Sequence, residues 1–185
     1  MKLSKNIILA LAYASMNFFL NAPAFAASNA QEDGIQSGDI NILADIAAID
    51  KTEILLATIA SNKNLNKEVL SFAKLMIVQH GANLTQLLDM VHHFHLASLN
   101  SSESNQLSAE GNQGMMTLGG LQGDQFAKEY INAMVKGHQA ALDLIDNQLM
   151  KTAKTESIKK FLSDTRVAVV QHLEHAQKLQ KDMPS

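Results

Sequence analysis

The chain of 185 residues contains no cysteine and only two prolines. Without cysteine there is no disulfide framework, even in an oxidising compartment, and no thiol nucleophile. A lipoprotein processing site is excluded for the same reason. The scarcity of proline, together with the lack of alternating β-branched runs, removes any serious strand candidate and leaves helices. No Glu-x-x-His pair is present at the inward histidines, because Ile77, Val135 and Val169 stand three residues before His80, His138 and His172. The reading as a carboxylate-bridged di-iron centre therefore fails. Serine is not found beside a histidine and an acid in an elbow, and Gly119-Gly120 has neither a preceding strand nor a phosphate-binding lysine.

What is present begins with an export signal. Lys2 and Lys5 precede a mostly apolar stretch from Ile7 to Leu20, and Ala24-Phe25-Ala26 has the small-x-small cleavage pattern. The stretch is short, contains Asn17 and Asn21, and meets Pro23, so a spanning anchor of ~20 apolar residues is the weaker reading. Residues 1–26 are expected to be a signal peptide cleaved after Ala26, which places the product in the periplasm. Cleavage removes two of the 15 basic residues and none of the 18 acids, so the net charge moves from −3 to −5. Nucleic acid and anionic lipid are disfavoured as general partners. No later segment is long and apolar enough for a membrane anchor, and the sequence names no protein partner.

After a polar lead-in over 27–38, an all-α domain is expected over 39–180, with a short tail over 181–185. Four amphipathic helices are readable. Ile42, Ile46, Ile49, Leu56 and Ala60 line the first, from about Asp39 to Ser61. Asn66 caps the second, whose inner face carries Val69, Phe72, Ala73, Met76, Leu84, Leu87, Leu88 and Val91. A Ser-, Asn- and Gly-rich connection covers 99–123, with a short helix around Ser108 to Leu118 weakened by its glycines. The third helix runs from about Asp124 through Leu149. Thr155 caps a fourth, with Ile158, Phe161, Leu162, Val169, Leu173 and Leu179 inward. Two hairpins joined by one long crossover between helices two and three make an antiparallel four-helix bundle of ferritin-like connectivity.

Polar residues interrupt these stripes. "FAKLMIVQH" and "YINAMVKGH" both place a histidine, His80 or His138, one turn beyond a methionine and two beyond an aromatic ring. His172 lies on the inner face of helix four, and Glu53 sits between Ile49 and Leu56 on helix one. Two readings stand side by side. In the first, the histidines form a buried hydrogen-bonded network that fixes helix packing, and the protein is a non-enzymatic structural or interaction protein. In the second, His80, His138, His172 and Glu53 bind zinc, or Met76 and Met134 join the histidines around copper. A ferritin-like oxidoreductase is the least favoured reading. Counting from their shared turn puts Glu53 and His80 about two turns apart in height.

"TEILLATIAS", "FAKLMIVQH", "FAKEYINAMVKGH" and "VVQHLEHAQKL", in this order and spacing, resemble a bacterial family of exported, ferritin-like four-helix proteins of unknown function. Its members are often labelled outer membrane proteins. The resemblance spans roughly Ile42 to Leu179 and implies recurrent polar positions at Glu53, His80, Tyr130, His138 and His172. It implies a fold and export but no activity. This chain departs from the family pattern at Gln79 and Gly137, where an acid is usual before each histidine, and at Ala127, where the family commonly has aspartate.

Overall fold

The computed structural model describes residues 34–183. The export segment expected over 1–26 lies outside them, as does most of the lead-in. The described residues hold five long helices and no strand. Helix α1 spans Ser37–Ser61, α2 Lys67–His93 and α3 Ser102–Gly119. Helix α4 spans Gly123–Leu144, continues through a π-helical turn at Ile145–Leu149, and ends with Met150–Thr152. Helix α5 spans Glu156–Asp182. No described helix is long and apolar enough to cross a membrane.

Local chemistry sets most of these boundaries. Asn66 accepts from the Val69 amide at 2.9 Å, satisfying one of the orphan donors at the start of α2. At the other end of α2, His95 adopts φ 53°, and the amides of His95 and Leu96 bond back to the carbonyls of His92 and Val91. That is a Schellman stop, with histidine where glycine is usual. Helix α3 opens with a reciprocal capping box between Ser101 and Ser104. Thr155 occupies the N-cap position of α5, but its side chain does not cap. Its hydroxyl donates to Asp39 instead, at 2.7 Å.

Helix α1 packs mainly against α2 and α3, while α4 packs against α5, and α2 meets α5. The connection over 99–123 therefore carries a full helix against α1 instead of the short helix that its glycines suggested. Gly111 explains why a glycine-rich segment is helical here. A Cβ at Gly111 would lie 2.4 Å from Thr52 Oγ1 and 3.1 Å from Thr52 Cβ, so the bare backbone is what lets α3 approach α1.

Two apolar clusters fill the interior. One joins Ile42, Ile46, Leu87, Leu144, Phe161 and Leu162. The other joins Leu56, Phe72, Met76, Phe126, Tyr130 and Met134. Leu88, expected inward, is 52% exposed, and Met90 takes the buried position near that end of α2. Between the clusters, in sequence along every long helix except α3, come the buried polar residues Asp50, Glu53, His80, His138 and His172.

Candidate metal centre

The three inward histidines meet. Their ring centroids are 5.0 Å apart for His80 and His172, 5.3 Å for His138 and His172, and 5.7 Å for His80 and His138. One ring nitrogen from each lies within 4.8 Å of the other two, and all three residues are buried. Chain geometry explains the coincidence of depth. His138 and His172 stand equal distances before and after Thr155, and a rod that rises 1.5 Å per residue on both sides of a tight turn brings such positions level.

Every ring is fixed through its other nitrogen. His80 Nδ1 bonds to Asp50 Oδ1 at 2.8 Å. His138 Nδ1 bonds to the Met134 carbonyl at 2.8 Å. His172 Nε2 donates to Gln79 Oε1. The acceptors determine the tautomers: each of those nitrogens carries its proton. That leaves His80 Nε2, His138 Nε2 and His172 Nδ1, which are buried without a hydrogen-bond partner. Two further orphans are Glu53 Oε2 and the Tyr130 hydroxyl. Buried polar atoms are rarely left unmatched, and five among these neighbouring residues mark a place built for something else.

The support behind His80 extends further. Asn83 Nδ2 donates to Asp50 Oδ2 at 2.9 Å, and Thr165 Oγ1 donates to Asn83 Oδ1 at 2.9 Å. A chain from α1 through α2 to α5 thus holds the carboxylate that orients the first imidazole. Burial pushes the His80 ring toward its neutral form. The hydrogen bond that His80 donates to Asp50 and the charges of Glu53 and Asp50 outweigh it, so its pKa rises above the ordinary value. His138 moves the other way, because burial is only partly opposed by Glu53. His172 is lowered to about 2, by burial first and then by the neighbouring rings His80 and His138. Burial, then the Glu53 charge, pushes the Tyr130 hydroxyl well above its usual range.

The expected residues separate into three groups. His80, His138 and His172 are together. Glu53 is buried and close enough to act electrostatically on His80, His138 and Tyr130, yet it is not among the residues whose ligand atoms converge. Its place beside His80 is taken by Asp50, which the stripe reading passed over. Asp50 and His80 stand equal distances before and after Leu65, whereas Glu53 is three residues nearer the turn, about 4.5 Å or under one turn off level and less than the two turns expected. Met76 and Met134 are fully buried and belong to the apolar cluster with Phe72 and Tyr130. They fill core space there. Gln79, one of the departures from the family pattern, is the acceptor that sets His172. Gly137, another, gives Glu53 room, since a Cβ there would lie 3.3 Å from Glu53 Oε1.

An all-helical chain with a three-histidine layer between two apolar cores is the class that fold and site define. Over residues 24–179 the chain matches the family described as "Domain of unknown function (DUF4142)", and it belongs to that family. Among solved structures it is similar to the crystal structure of a DUF305 fragment from Deinococcus radiodurans, with a TM-score of 0.71. The match covers 81% of this chain and 99% of that one at 10% identity, which shows a shared fold and nothing more specific. No curated protein matches the chain.

Proposed function

We propose that this protein is a non-enzymatic metal-binding module that holds one borderline divalent ion, zinc before copper, on His80, His138 and His172. The observation that supports this reading is that each of three clustered buried imidazoles keeps one nitrogen without a hydrogen-bond partner, while a ring nitrogen of each lies within 4.8 Å of the other two. Lone pairs cannot satisfy lone pairs. A proton added to His80 Nε2 could serve one neighbour and would leave the other nitrogen unmatched, whereas a metal ion accepts all three. Neutral rings whose outer N–H is committed to a carboxylate, a carbonyl or an amide are what metal-ligating histidines require. One ring nitrogen per residue at separations up to 4.8 Å surrounds a point ~2.8 Å away, and side-chain contraction of under 1 Å would reach the Zn–N distance of ~2.0–2.1 Å. Glu53 lies outside this set.

Helices α1, α2, α4 and α5 are assigned to an antiparallel four-helix bundle of ferritin-like connectivity, with α3 lying in the crossover. The domain runs over 39–180, and the export signal over 1–26 delivers it to the periplasm. Recovering a protein from the periplasmic fraction whose first residue is Ala27 would support that delivery; a mature protein that keeps Met1 would refute it.

The metal test is retention and stabilisation. Purified full chain dialysed against zinc should keep one equivalent. At a free concentration 100-fold above its Kd, binding adds about 2.7 kcal/mol. For a chain of this size that raises Tm by about 5–10 °C. The His138→Ala/His172→Ala variant should keep neither metal nor shift. Absence of retained zinc and copper in the wild type, or equal retention in the double variant, would overturn the reading.

A further inference from the structure

An ion on the histidines would match three of the five orphaned atoms and leave two. Glu53 Oε2 and the Tyr130 hydroxyl are buried without a hydrogen-bond partner, and their residues are 6% and 0% exposed. They come from different helices, α1 and α4, and they differ in kind. A carboxylate oxygen only accepts. The Tyr130 phenol, whose ionisation is opposed by burial and then by the Glu53 charge, stays a donor. Leaving either atom dry and unpaired is costly, so the pair calls for an occupant that serves both.

Both residues adjoin the histidine layer. Tyr130, Met134 and His138 follow one another along one buried face of α4. Glu53 reaches the same helix one residue from His138, where a Cβ at Gly137 would lie 3.3 Å from its Oε1. Its charge acts on His80, His138 and Tyr130 alike. Yet its oxygens do not join the converging ring nitrogens, and its Oε2 does not bond to the Tyr130 hydroxyl. Such a carboxylate is felt at the site without being part of the ligand set, an arrangement that one small intervening molecule completes.

Three histidines also leave zinc one ligand short. Zinc is commonly four-coordinate, and a site with three protein ligands keeps its remaining position for water or an exchangeable molecule. Water meets the whole demand. It can give one lone pair to the ion, donate a proton to Glu53 and accept from Tyr130. A small anion could accept from Tyr130, but it has no proton for Glu53 and is repelled by it.

Resting on the three-histidine assignment, we propose that the site is an open one whose fourth ligand is a neutral, proton-sharing oxygen donor of water size, held between Glu53 and Tyr130, and that Glu53 keeps anions out of that position. Cobalt(II) loaded in place of zinc makes the coordination visible. The d–d absorption of the wild-type full chain should be left unchanged by excess azide. In Glu53→Gln, and equally in Glu53→Ala, azide should shift the bands and bind more tightly than to wild type by on the order of tenfold or more. Adding Tyr130→Phe to Glu53→Gln should take part of that affinity back, because the phenol is the donor left to the anion. Helical circular dichroism of each variant confirms that it is folded. Cobalt retained by all the proteins, with azide bound equally by wild type and both Glu53 variants or by none of them, would overturn the proposal alone. A wild-type chain that keeps neither cobalt nor zinc would instead overturn the histidine assignment, and this proposal with it.

Discussion

Helix α1 buries four carboxylates, Asp39, Asp45, Asp50 and Glu53, while the α4–α5 hairpin buries none. The histidines register that difference. His80 leans on a carboxylate and is more basic than a free imidazole, whereas His138 and His172 lean on a carbonyl and an amide and are less basic. Three chemically identical side chains, gathered into one small volume, are thus given two characters by what stands behind them. The α1 carboxylates also organise the molecule. Asp39 ties down the α4–α5 turn, Asp45 accepts from the Ser101 hydroxyl that caps α3, and Asp50 holds His80.

The contrast can be broken at several points. Asp39→Ala should be the most damaging. It removes the acceptor for the Lys154 and Thr155 amides, at 2.9 and 3.1 Å, and for the Thr155 hydroxyl. Two stranded backbone donors and a hydroxyl should cost about 2–4 kcal/mol in urea denaturation. A loss below ~1 kcal/mol would mean that water replaces the carboxylate freely.

Asp50→Asn removes the negative charge behind His80 while keeping an oxygen acceptor. Its cost should be about 1.5–3 kcal/mol, the range for a hydrogen bond to a charged group. In the metal-free protein the NMR titration of His80 should shift to lower pH, toward the behaviour of the other two rings. An unchanged His80 titration would show that Glu53, not Asp50, sets its basicity.

Gly111→Ala sharpens the comparison by attacking the side of α1 that has no counterpart in the other hairpin. Overpacking against Thr52 should cost about 1–3 kcal/mol, offset by ~1 kcal/mol of helix propensity. A net loss of about 1 kcal/mol is expected by chemical denaturation, and a gain would mean that α3 slides freely.

The smallest effect belongs to the α4–α5 hairpin's own carboxylate pair. Asp146 is bound at both oxygens by Arg166, at 2.6 and 2.9 Å, and its pKa is held below the ordinary carboxylate value by that bond. A depressed folded-state pKa means that the stabilisation is present above about pH 4 and lost as the pH falls through the folded value. Exposure to solvent keeps it small. The Asp146→Asn protein should therefore show a slightly flatter fall of Tm below pH 4 than the wild type, with identical slopes falsifying the assignment.

Sequence legibility followed exposure. Helices α2, α4 and α5 each present one buried face, so their stripes point to His80, His138 and His172 directly. Helix α1 is covered by α2 on one side and α3 on another, and its buried residues run without a break from Ile42 to Ala48. Such a helix has no single stripe, and Glu53 stood out from it while Asp50 did not. Helix α3 was understated because glycine is a poor helix former in isolation; its justification, the near contact of Gly111 with Thr52, exists only once the two helices meet. The acceptors Gln79 and Met134 could not be read as such, because a backbone carbonyl and a neutral amide carry no pattern in sequence.

The bonds from Asp39 span 115 and 116 residues of chain. A clasp of that reach closes only when the α4–α5 turn meets the start of α1, and it is expected to form after the main barrier to assembly. Interactions made so late leave the folding rate almost untouched and act on the reverse step. The carboxylate near the start of the first helix is in this sense a latch: removing it should hasten unfolding while refolding proceeds at its former pace.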